Sequence, residues 1–95
     1  MPTTSYRAAQ NLIKRGDEPA LRVALEGTLS SNSANENGWT LLMLAAVEGS
    51  VPLGRLLLER GADPSRTNNK GQTARDIAQH RGFDLFVALL DESAK

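Results

Sequence analysis

The sequence overlays itself at an offset of 33 residues, and this offset constrains the fold more than any single residue does. Asn35 falls on Asn68, Gly38 on Gly71, Thr40 on Thr73, Ala45 on Ala78, Gly49 on Gly82, and Leu56 and Leu57 on Leu89 and Leu90. Run backwards, the same offset pairs Gly16 with Gly49, Pro19 with Pro52, Arg22 with Arg55, Leu25 with Leu58 and Glu26 with Glu59. Identities that keep chain order at a fixed spacing describe one supersecondary unit copied in series. Three units are expected within one domain spanning 1–95: roughly 1–34, 35–67 and 68–95.

The residues within a unit dictate its parts. Asn35-Glu36-Asn37-Gly38 and its copy Asn68-Asn69-Lys70-Gly71 have turn composition, because Asn and Gly tolerate the left-handed backbone that tight turns need. Thr40 and Thr73 follow as helix caps, and each opens a short alanine-containing helix that ends at Gly49 or Gly82. Ala45 and Ala46 keep that helix slim, so its neighbours can approach closely. A second helix carries Leu53, Leu56 and Leu57 in the middle unit and Phe83, Phe86, Val87 and Leu90 in the last. Ser50 precedes it as a cap, Pro52 occupies a first-turn position that needs no amide hydrogen, and Gly61 with Asp63-Pro64 stops it. No unit can bury its apolar stripe alone, so the fold class is all-α, a solenoid of stacked helix-turn-helix units joined by short hairpin-like turns.

This pattern resembles the ankyrin repeat, which runs roughly D-x-x-G-x-T-P-L-H-x-A-A, then x-x-G, then leucines and G-A-D. The middle unit reads Asn35-Glu36-Asn37-Gly38-Trp39-Thr40-Leu41-Leu42-Met43-Leu44-Ala45-Ala46, then Gly49, Leu56-Leu57-Leu58 and Gly61-Ala62-Asp63. The outer units are more divergent, as caps are when one face must meet water. Leu41 and Met43 replace the family's proline and histidine, which predicts a looser middle hairpin. In the last unit Asp76 stands three residues after Thr73, the spacing of a capping box, and Arg75 takes a usually apolar place. Thr28 stands where the family closes a helix with glycine, so the loop 28–34 is expected to be irregular.

Composition narrows the function. Eleven basic and eleven acidic side chains leave no net charge, so there is no global field for nucleic acid or an anionic membrane. Without cysteine there is no disulfide framework or thiolate zinc site, and the lone His80 cannot supply a two-histidine metal centre. Met1 to Ser5 lack the basic start and apolar run of a signal peptide, and no apolar stretch is long enough to span a bilayer. These features point to a soluble, cytoplasmic or otherwise intracellular chain. It has no phosphate loop and no serine beside an activating base, and the expectation is no enzyme and no cofactor.

The resemblance implies binding of another protein or peptide through hairpin tips and first-helix ends, as an adaptor or stoichiometric inhibitor. By position, that assigns Glu36, Asn37, Trp39, Val47, Glu48 and Arg60 in the middle unit. The last unit supplies Asn69, Lys70, Gln72, His80 and Arg81, and the first supplies Lys14 and Arg15. Trp39 is the anchor candidate, since a projecting tryptophan at an interface centre contributes about 2 kcal/mol or more; packing against the neighbouring turn is its structural alternative. Lys14, Arg15, Arg60, Lys70 and Arg81 outnumber Glu36 and Glu48, so a weak nucleic-acid binder is the competing reading and a self-associating structural module the third. The expected state is a monomer.

Overall fold

The computed structural model describes residues 5–27 and 29–93. Residues 1–4, most of the segment read for a leader, and Thr28 lie outside them. The described residues form six α-helices: α1 (Tyr6–Arg15), α2 (Glu18–Glu26), α3 (Leu41–Glu48), α4 (Val51–Glu59), α5 (Ala74–His80) and α6 (Asp84–Ser93). Among them the sole β interaction is an isolated antiparallel bridge between Ala34 and Thr40.

The helices pair as α1–α2, α3–α4 and α5–α6, and the pairs stack side by side. One row holds α1, α3 and α5, with α3 in the middle; the other holds α2, α4 and α6 around α4. Stacking buries the middle pair from both sides: Leu41, Ala45, Ala46 and Leu57 are wholly inaccessible to water, and Leu42, Met43, Leu53 and Leu56 nearly so. That is why α3 is apolar all round whereas α1, which covers one end, is strongly amphipathic.

Helix boundaries follow the cap chemistry. Thr40 Oγ1 accepts the Met43 amide proton at 3.2 Å, and Thr73 Oγ1 accepts that of Asp76 at 3.1 Å. Asp76 returns the bond, its carboxylate accepting from the Thr73 amide at 3.0 Å, the capping box anticipated from the spacing. In the middle repeat the Met43 thioether takes that role, its sulfur accepting from the Thr40 amide at 3.4 Å. A weak acceptor thus closes the cap where the family places histidine. Ser50 caps α4, and Gly61, at φ 93°, provides the left-handed turn that ends it.

Two glycines set the distance between the second and third repeats. A Cβ on Gly49 would lie 2.8 Å from the Phe83 ring, and one on Gly54 would lie 2.6 Å from Phe86 Cε2. Hydrogen at both positions lets two aromatic side chains of the last repeat nest against the middle one. Phe86 is fully buried there.

Residues 29–34 are braced rather than free. Ser31 Oγ donates to the Arg60 carbonyl at 2.8 Å, Asn32 Nδ2 donates to the Gly61 carbonyl at 3.1 Å, and Asn32 Oδ1 accepts the Asp63 amide at 2.8 Å. At the far end Arg75 makes a bidentate pair with Asp91, Nε to Oδ1 at 2.8 Å and Nη2 to Oδ2 at 3.3 Å, and adds Gln79. This fork-to-carboxylate clasp from α5 to α6 gives the arginine at a usually apolar place its partner.

Candidate interaction surface

Each hairpin is organised by an asparagine. Asn35 Oδ1 accepts from the Asn37 and Trp39 amides, both at 2.9 Å, while the Gly38 amide donates to the Asn35 carbonyl at 3.0 Å. Asn68 repeats the scheme with the amides of Lys70 at 2.9 Å and Gln72 at 3.1 Å. These side-chain bonds fix the turn before any partner arrives. The two hairpins are also tied together: the Asn69 amide donates to the Asn37 carbonyl at 3.0 Å and its side chain to the Glu36 carbonyl at 3.4 Å. Gly38 is required at this junction, since at φ 79° a Cβ would sit 3.0 Å from the Asn68 Cα.

Glu36, Asn37, Asn69 and Lys70 are therefore exposed on the tips, and Trp39 and Gln72 stand one step below, half-buried. Trp39 packs against the edge of the core and is only partly buried. Two shallow cavities adjoin it. One, of about 260 Å³, has Ile13, Leu44, Val47 and Trp39 as its apolar lining, with Lys14 and Arg81 also on it. The second, of about 190 Å³, continues past Trp39 and Val47 to Gln72, Ile77 and His80. Shared lining by Trp39, Val47 and Arg81 makes them one groove across the α1, α3 and α5 row.

The 33-residue register orders the ends of this row: Lys14, Val47 and His80 occupy equivalent positions, as do Arg15, Glu48 and Arg81. Not every expected residue joins the groove. Arg15 pairs with Asp17 at 3.6 Å, and Arg60, beyond α4, pairs with Glu26 of α2 at 3.4 Å in the opposite row. The floor residues Ile13, Leu44 and Ile77 and the adjoining Gln10 were missed by reading exposed positions alone. A signal existed, since Leu44 and Ile77 stand 33 residues apart, but apolar residues on an apolar helix read as core.

Among the described residues no group of three or more histidine, aspartate or glutamate side chains could hold a metal ion. No helix there is long and apolar enough to cross a membrane.

Comparison with known proteins gives the same architecture. The family model described as ankyrin repeats (3 copies) matches residues 5–95. The chain is 46% identical over 59 residues to the human NAD-capped RNA hydrolase NUDT12, covering 62% of this chain and 13% of that protein. It is 38% identical over 91 residues to M-phase phosphoprotein 8 of Rattus norvegicus, covering 90% of this chain and 11% of that protein. The chain thus spans a small fraction of the length of these relatives. Among solved structures, a chain in "Bd0816 Predatory Endopeptidase from Bdellovibrio bacteriovorus in complex with immunity protein Bd3460" superposes with a TM-score of 0.85 at 24% identity. That match covers 94% of this chain and 47% of the other.

Proposed function

The chain belongs to the ankyrin-repeat family, and on that premise we propose that it is a non-catalytic adaptor or stoichiometric inhibitor that holds a partner protein in the groove over α1, α3 and α5. The family generally works by protein–protein interaction. The observation that supports this use of the groove is Trp39: a large amphipathic residue, half-buried between two adjoining cavities, on a backbone whose amide is held by Asn35. Aromatic anchors held rigid before binding cost little ordering entropy when they engage a partner. The hairpin tips, stitched together through Asn69, extend the same surface. An extended, shallow groove suits a polypeptide better than a catalytic pocket, which needs enclosed and convergent reacting groups.

The protein acts as a monomer in an intracellular compartment on this reading. In its support, α1 presents Arg7, Asn11 and Arg15 to solvent, Arg75 pairs with Asp91 across α5 and α6, and the large hydrophobic residues left exposed among the described ones are Val23 and Leu85. A chain without cysteine has no need of an oxidising compartment.

The test is affinity capture from cells, quantified by mass spectrometry, comparing the natural chain with Trp39→Ala and Arg81→Ala, each checked for an unchanged helical spectrum. Loss of the same captured proteins in both variants is expected. Retention of all of them would eliminate this face as the contact surface.

A further inference from the structure

Resting on that reading of the groove, we infer that its occupant is an extended peptide segment with one apolar side chain flanked by carboxylates, in the order acid-x-apolar-x-acid. The size of the cavity sets the first part. This end of the groove, about 260 Å³, has room for a side chain of leucine to phenylalanine size against Trp39, Leu44 and Val47, and the adjoining cavity continues the groove past Trp39 as an extended chain would need.

Charge placement sets the second. Lys14 of α1 and Arg81, next after α5, border this cavity from opposite ends of the row. Among the described residues neither has a carboxylate within ion-pair distance; the four ion pairs found there involve Arg15, Arg22, Arg60 and Arg75. Glu48 of α3 lies between them and repels a carboxylate over the middle repeat, leaving that place to the apolar side chain. The same carboxylate opposes a phosphate backbone laid along the groove.

Spacing agrees with this order. Helices two places apart in a packed row lie roughly 16–20 Å axis to axis, and the long side chains of Lys14 and Arg81 reach inward from there. In an extended strand, residues two before and two after a central one share its face and span about 13 Å. Carboxylates at those positions meet the two cations while the central side chain enters the cavity.

Trp39 is the chain's one tryptophan, so its emission reports on this groove alone. Titrate the full chain with nine-residue peptides of serine and glycine carrying central leucine and glutamate two residues to either side, against versions with lysine for glutamate or alanine for leucine. The acidic peptide should bind about tenfold or more tightly than the lysine version, weakening as salt rises. The paired change Lys14→Glu with Arg81→Glu should reverse that preference. Equal or better binding of the lysine peptide to the natural chain overturns the inference yet leaves the groove as the contact face. No saturable change in emission with any peptide also overturns it, and the capture experiment then decides separately whether this face binds a partner.

Discussion

Gly54→Ala sets two effects of opposite sign against each other. Gly54 lies inside α4 with ordinary helical backbone, so intrinsic preference favours alanine there by about 1 kcal/mol. The added Cβ, however, would stand 2.6 Å from Phe86 Cε2, 2.9 Å from Phe86 Cζ and 3.0 Å from Leu89 Cδ2. Phe86 has no exposed surface, so its ring can move aside only by disturbing the core. Overpacking of this kind costs about 1–3 kcal/mol, and contacts this short place the cost in the upper part of that range. The net expectation is destabilisation by about 1–2 kcal/mol. Urea unfolding at constant slope would show it as a lower midpoint. A double-mutant cycle with Phe86→Leu identifies the cause: with the ring gone, alanine at 54 should become neutral or stabilising, a coupling of about 1–3 kcal/mol. Stabilisation by Gly54→Ala alone, or a cycle with no coupling, would refute the claim that this glycine sets the spacing between the repeats.

Three further outcomes are expected. Leu57→Ala, at a wholly buried position between the helix rows, should cost about 2–5 kcal/mol in the same unfolding assay. Leu41→Pro, which installs the residue common in the family, should destabilise by about 1–3 kcal/mol, because the Leu41 amide donates to the Ser33 carbonyl at 3.3 Å and its side chain is fully buried; an increased melting temperature would contradict this. Burial pushes the Tyr6 hydroxyl above its ordinary pKa of 10.0, and among the described residues that hydroxyl has no hydrogen-bond partner. A raised folded value means its contribution is complete below the unfolded pKa and is lost as pH rises through the folded one. Tyrosinate absorbance, which reports Tyr6 alone as the single tyrosine, should therefore titrate above the free value, and Tyr6→Phe should be neutral or stabilising at pH 7.

The comparison of the two asparagine turns shows why the fold was so legible. Asn35 and Asn68 act within five residues of themselves, as do the caps at Thr40, Ser50 and Thr73, so local chemistry written twice along the chain names the unit and its ends. The repeated apolar positions then require stacking. Arg75 is a different case. Its departure from the repeat pattern is visible in the sequence, but its partner Asp91 is 16 residues away on α6 and follows no local rule.

The periodic sequence by itself determined the number of repeats, the helix pairs and the residues that enter the core, because those depend on spacing and on interactions within a turn or two. Only the packed structure decided which exposed residues share a surface. It moved Arg60 to the opposite row beside Glu26, turned Ile13, Leu44 and Ile77 into a groove floor, and held Trp39 half in the core and half out of it. Those outcomes depend on how close one helix comes to the next, a distance set by glycine hydrogens against the rings of Phe83 and Phe86 across the interface between repeats.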